Sequence, residues 1–231
     1  MTLLAVSKRV GLQGGGFFAI TLFGSVRIPL WHESEIMIEI EKKFQVADFK
    51  SIRHELVSEN FDVMEHAPPK KQSDEYFNHR QLRFELQDIA LRIRQVDDRH
   101  ILTFKGPNQD ATTKIRTEVE VDFSKEDAGK MSEMFLGLGM HSVAKVSKTR
   151  DTVLIRWQGA NVEVCLDSVE EVGYFVELEI VAGNSEEIPA AKEKLESLAE
   201  KFGLKDSITT CLLYTSPSPR DLSTSRMPSS A

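Results

Sequence analysis

Glutamate, one aliphatic residue, glutamate: the chain writes this triplet three times inside runs rich in strand formers, as Glu39-Ile40-Glu41, Glu118-Val119-Glu120 and Glu177-Leu178-Glu179. Successive side chains of a β-strand point to opposite faces, so each triplet puts two carboxylates on one side of a sheet and an aliphatic side chain on the other. Basic residues follow the same alternation. Arg92 and Arg94 flank Ile93, Lys105 follows Thr103 by two, Arg116 precedes Glu118 by two, and Lys148 is two before Arg150. A chain patterned in this way folds as a sheet with one apolar and one ionic face. Carboxylates crowded on a common face repel one another unless cations sit among them, so the pattern points to a lining that holds metal ions and a polyanion together.

The 231 residues suffice for one substantial domain, and 41% hydrophobic residues are ample for its core. A net charge of −7 argues against a nucleic-acid groove, which needs clustered surface cations. The basic residues therefore act locally. Two end segments read as lying outside the domain. Residues 1–36 carry the glycine run Gly14 to Gly16 and three basic residues, with no acid before Glu33. They read as a presequence or as translated sequence ahead of a start at Met37, and their apolar run Phe17 to Phe23 is too short to span a bilayer. Residues 211–231 read differently: Cys211 to Asp221 resembles one reading frame of a transposase sequencing adapter, and Ser225 to Ala231 its downstream primer. The alternative is a Ser/Pro-rich tail. Residues 37–210 then form the domain, with 24 basic and 33 acidic residues. It retains one cysteine, Cys165, so a disulfide is excluded within it and a reducing, cytoplasmic setting is expected, organelle targeting by residues 1–36 being the alternative. The six histidines are scattered without ligand spacing.

Strands are expected over Ile38 to Val46, Glu75 to Asn78, Ile89 to Val96, Ile101 to Lys105, Ile115 to Phe123, Thr152 to Trp157, Val162 to Leu166 and Phe175 to Val181. Hairpins turn at Asp97-Asp98 and at Gly159. Three single-sided helical stripes accompany them: Phe49, Ile52, Leu56 and Val57 after Asp48; Ala128, Met131, Phe135 and Leu138 after Ser124; and Ile188, Ala191, Leu195, Leu198 and Phe202, stopped by Gly203. This is an α+β pattern. Ile40, Phe44, Leu91, Ile93, Leu102, Phe104, Val119, Val121, Phe123, Val153, Ile155, Val162, Val164, Leu166, Val176, Leu178 and Ile180 are expected on one face, beneath the helices. The other face takes nearly all the charge. A sheet polar on one side is ordinarily just solvated, but ionic rows in nearly every strand are unusual, and closing the sheet with the charge inward would also remove its edges. Inside such a wall, arginine and lysine suit phosphate oxygens. The glutamates need a hard divalent ion as intermediary, Mg²⁺ or Mn²⁺.

Glu39-Ile40-Glu41-Lys42-Lys43 resembles the E-x-E-x-K signature of the CYTH superfamily, the triphosphate tunnel metalloenzymes. The order that follows strengthens the likeness: Asp74-Glu75-Tyr76-Phe77, Leu91-Arg92-Ile93-Arg94, Phe104-Lys105-Gly106-Pro107, Arg116 to Glu120, Lys148-Thr149-Arg150, Leu166-Asp167-Ser168-Val169 and Gly173 to Glu179. The resemblance implies an eight-stranded antiparallel tunnel with a charged interior, helices packed outside, and a bound metal-triphosphate. It implies catalytic roles for Glu39, Glu41 and Lys43, and metal ligation by Glu39, Glu41, Glu177 and Glu179, assisted by Asp167, Glu118 and Glu120. Arg92, Arg94, Lys105, Arg116, Lys148 and Arg150 are implied to hold the triphosphate together with Lys43. Glu163 and Cys165 share a face with Asp167; Cys165 is read as a packing residue, as is Tyr76. The motifs resemble the class IV adenylate cyclase branch, implying conversion of ATP to cyclic AMP and pyrophosphate. The alternatives are hydrolysis of tripolyphosphate or thiamine triphosphate, or a non-catalytic sensor of polyphosphate or nucleotide. Neither nucleic acid nor membrane is an expected partner, and a homodimer is compatible with the sequence.

Overall fold

Eight strands build the domain: Met37–Val46 (β1), Asp62–His79 (β2), Ala90–Val96 (β3), Arg99–Lys105 (β4), Lys114–Phe123 (β5), Met140–Trp157 (β6), Ala160–Val169 (β7) and Gly173–Ala182 (β8). In the computed structural model, which describes residues 37–58 and 61–208, they close into an antiparallel barrel in the order β1-β5-β4-β3-β2-β6-β7-β8. The expectations for residues 1–36 and 211–231 lie outside the described residues. Closure runs through β1, which pairs Glu39 with Arg116 of β5 on one edge and Glu41 with Glu179 of β8 on the other. The first and last strands are therefore neighbours.

The alternation places each side chain as the sequence requires. Glu39, Glu41 and Lys43 turn into the barrel, while Ile40 and Phe44 turn out and are 0% and 3% exposed. Outside, the helices Lys50–Leu56 (α1) and Ile188–Lys201 (α3) cover the outward faces of β1, β6, β7 and β8, so that Ile52, Leu195 and Leu198 pack with Ile155, Val164, Val176 and Leu178. Burying a leucine of this kind contributes roughly 1.5–3 kcal/mol. Helix α3 is prepared by Asn184, whose side chain accepts from the Glu186 backbone N–H at 3.0 Å, and it ends at Gly203, which takes the left-handed φ of +68° that favours glycine. A second, smaller core lies under the helix Ala128–Gly137 (α2), where Phe135 meets Phe77, Leu91 and Ile93. Ser124 Oγ donates to Asp127 at 2.7 Å just ahead of it.

Both hairpins form where expected. Asp97 takes φ +54° between the paired Val96 and Arg99, and Gln158 and Gly159 take +47° and +77° between the paired Trp157 and Ala160, the mirror-image turn that matches strand twist. Three expectations are corrected. The strand expected over Glu75 to Asn78 begins at Asp62, and Lys148 to Arg150 lies within an 18-residue β6 that starts at Met140. Pro68 and Pro69 hid the first of these: they fall between the pairs Ala67–Thr152 and Lys70–Arg150, so both oppose Asp151 alone in a bulge. Proline, having no N–H, is tolerated at such a point. Val119 and Val121 face outward as expected, yet they are 37% and 51% exposed, so among the described residues the covering expected for them is incomplete.

Candidate active site

The barrel encloses a cavity of about 340 Å³ lined mostly by ionic side chains, within the size range of small-molecule sites. Among the described residues its lining includes eight cations, Lys43, Arg92, Arg94, Lys105, Lys114, Arg116, Lys148 and Arg150, and the seven glutamates 39, 41, 118, 120, 163, 177 and 179. All of the residues expected in a site line it except Asp167, which is 0% exposed in the wall behind.

The charges are unevenly spread: β8 contributes glutamates and β3 arginines, whereas β1 and β5 carry both signs. Glu39 and Glu41 of β1 converge with Glu179 of β8 so that one carboxylate oxygen from each lies within 4.8 Å of the others. Strand β3, carrying Arg92 and Arg94, stands four strands from β8 in either direction around the ring, hence across the lumen. An acidic wall thus faces a guanidinium wall. Between them Lys105 Nζ donates to both oxygens of Glu39 at 2.8 and 2.6 Å and lies 3.4 Å from Glu118. Lys114 donates to Glu41 at 2.9 Å, and Lys43 is 2.5 Å from Glu177. Arg150 grips Asp167 with two bonds of 2.7 and 2.6 Å, also contacts Glu177, and lies 3.6 Å from Glu179. Lys148 donates to Asp167 at 2.6 Å, and Arg116 reaches Asp88 at 3.0 Å.

These neighbours set the protonation states. Burial alone would raise Glu41, but Lys114 and Lys43 overcome it and hold the carboxyl well below the usual range. Glu177 is held low in the same way by Lys43 and Arg150. Glu179 goes the other way: burial raises it, Arg150 opposes, and the charges of Glu39, Glu177 and Glu41 push it further up. Burial and Glu39 likewise push Glu118 up to about 7 against the pull of Lys105, and burial beside Arg150 brings Lys148 down to about 8. A carboxyl driven towards its neutral form beside two others is a set of hard oxygen donors short of a cation. Glu39, Glu41 and Glu179 therefore fit a divalent ion such as Mg²⁺ or Mn²⁺.

The remaining residues sort as follows. Glu118 and Glu120 line the cavity but stand apart from that trio; Glu120 accepts from Thr103 at 2.7 Å. Asp167 is fully engaged by Lys148 and Arg150. Cys165 is 0% exposed, and burial pushes its thiol well up although Arg150 opposes. Tyr76 is 3% exposed among Ala90, Val146, Val169 and Phe175. Lys114 and the carboxylates Asp74 and Asp88 were not singled out from sequence. Lys114 carried a signal, sitting two before Arg116 in the same alternation. Asp88 carried none, since it projects from a turn at φ +53°.

A closed antiparallel barrel with an oxygen-donor wall facing an arginine wall defines the class: a charge-lined tunnel domain. The CYTH domain family matches residues 37–210, and the chain belongs to it. A Methanocaldococcus jannaschii protein, whose name gives adenylate cyclase as a provisional assignment, is 34% identical over 173 residues, covering 74% of this chain and 94% of its own length. The adenylate cyclase CyaB of Aeromonas hydrophila is 25% identical over 171 residues, covering 73% and 82%. Among solved structures, a Pyrococcus horikoshii protein matches with a TM-score of 0.64 at 32% identity, covering 76% of this chain and 96% of that one. Among the described residues no helix is long and apolar enough to cross a membrane.

Proposed function

We propose that the protein is a divalent-metal-dependent enzyme that acts on a linear triphosphate, with cyclisation of ATP to cyclic AMP and pyrophosphate as its reaction. The observation that carries the triphosphate reading is the opposition of the Glu39–Glu41–Glu179 trio to the Arg92–Arg94 pair within one closed lumen. A pure anion binder gains nothing from added carboxylates. Arg92, Arg94, Arg116, Lys148 and Arg150 hold the phosphate oxygens, and Lys43, Lys105 and Lys114, now paired with glutamates, supply further cations. A bound Mg²⁺ or Mn²⁺ on Glu39, Glu41 and Glu179, with Glu177 beside them, would neutralise charge developing on the phosphoryl oxygens. In cyclisation the ribose 3′-hydroxyl gives up its proton and its oxygen bonds to the α-phosphorus while the bond from that phosphorus to the bridging oxygen breaks, releasing pyrophosphate, which carries the proton away. The barrel walls contribute by holding the chain of phosphates in line and keeping bulk water out. The names of the M. jannaschii and A. hydrophila relatives favour the cyclase assignment.

A second reading has its own support. Tyr76 is the one aromatic residue in the described lining, and it is packed into a core cluster, so the cavity offers far more to phosphate than to a purine ring. Hydrolysis of tripolyphosphate or thiamine triphosphate, with water attacking the terminal phosphorus, uses the same cations. Incubating the protein with Mg²⁺ or Mn²⁺ and each triphosphate separates the two: cyclic AMP with pyrophosphate supports the cyclase, orthophosphate with a shortened chain supports the hydrolase. Binding without turnover would leave only a sensor.

A further inference from the structure

We infer that Asp74 is a positioning residue, which fixes Arg92 and Arg94 as the phosphate clamp of the tunnel. The inference rests on the triphosphate reading above. The carboxylates around the lumen fall into two groups. Glu39, Glu41 and Glu177 line the cavity and pair with Lys105, Lys114 and Lys43, partners that phosphate and metal would take from each other. Asp74 does not line the cavity. It is 2% exposed on β2, at the register position opposite Arg94, and it receives Arg94 Nε at 2.7 Å and Nη2 at 2.8 Å. Arg92 Nη1 lies 3.4 Å from the same carboxylate. Two-point pairing along one edge fixes the plane of the Arg94 guanidinium and leaves Nη1 as its nitrogen not engaged by Asp74. The second arginine is also held by Tyr76, while its buried Nε has no partner among the described residues. Burial works against ionisation of Asp74, yet Arg92 and Arg94 keep it charged, so the support persists across the working pH range. An arginine fixed before the ligand arrives gives up little freedom on binding.

Charge balance and positioning predict opposite outcomes when this carboxylate is removed. Were Asp74 only a counter-charge, its loss would make the lumen more positive and a polyanion would bind more tightly. Positioning predicts weaker binding despite the added positive charge. The test is calorimetric titration of tripolyphosphate, with Mn²⁺ present, into the full chain and its variants. Asp74→Asn is expected to weaken binding about 10-fold or more, as loss of a charged hydrogen bond does, and Asp74→Glu to recover part of the loss. In the Arg94→Lys background the further loss caused by Asp74→Asn is expected to be smaller than in the wild type, since only Arg92 is then left for Asp74 to position. Equal or tighter binding by an Asp74→Asn protein that melts cooperatively overturns the assignment. Should that variant not fold, Arg94→Lys carries the test, since it keeps the charge but removes the fork, and unchanged affinity there is equally fatal. Wild-type protein that fails to bind tripolyphosphate overturns the triphosphate reading itself, a result distinct from either of these.

Discussion

At Glu118 two effects oppose ionisation, burial and the charge of Glu39, and together they outweigh the attraction of Lys105. An unfolded glutamate ionises near 4.5, whereas this one ionises at about 7. Between those values the folded state keeps a proton that the unfolded state has lost, so this residue's contribution falls as pH rises from about 4.5 to about 7 and is flat above. Glu118→Gln should therefore be more stable than wild type at pH 8, by about 1–3 kcal/mol, with the advantage shrinking towards pH 5. Urea unfolding at the two pH values checks this, and an advantage independent of pH would count against the assigned cause. Glu39→Gln tests the metal side: divalent-ion affinity measured by calorimetry should fall about 10-fold or more and turnover should disappear, while the fold survives because Lys105 still has Glu118 at 3.4 Å. Most residues of the site were legible because alternation alone assigns an inward face. Asp74 stood in a quoted motif without a role, since only the β2–β3 register brings it against Arg94.

The strands of the barrel differ in how plainly they were written. β1, β5, β7 and β8 alternate cleanly and were placed to within a few residues. The first half of β2 runs Asp62 to Lys71 through two prolines and five charged or histidine side chains, and it is a strand only because β6 offers it a long partner and a bulge. Propensity is local, whereas this pairing is tertiary. The outward faces were less legible, because alternation says which way Val121 points but not whether a helix arrives above it. The two kinds of outward residue should respond differently to truncation. Leu198→Ala, on the buried face of α3, should cost about 2–5 kcal/mol. Val121→Ser, on bare β5, should stay within about 0.5 kcal/mol. Denaturant midpoints with unchanged slopes would check both, and equal losses would mean that β5 is covered in solution.

Taken as a whole, the molecule keeps its largest hydrophobic core outside the ring and an almost balanced set of charges inside it, beside a small apolar cluster around Tyr76 and Phe175. In that lumen a polyanion alone meets seven glutamates and a divalent cation alone meets eight bases. Mn²⁺ and tripolyphosphate added together should thus raise the melting temperature by more than the sum of their separate shifts, which scanning calorimetry can measure. The seam between β1 and β8 has a further consequence, for how the protein comes into being. The strand carrying Glu39 and Glu41 leaves the ribosome first, and its neighbour with Glu177 and Glu179 emerges well over a hundred residues later. A nascent fragment short of β8 lacks Glu177 and Glu179, so the proposed metal site and the closed ring are complete only after that strand is made, and that late, long-range stitch is the step expected to pace folding.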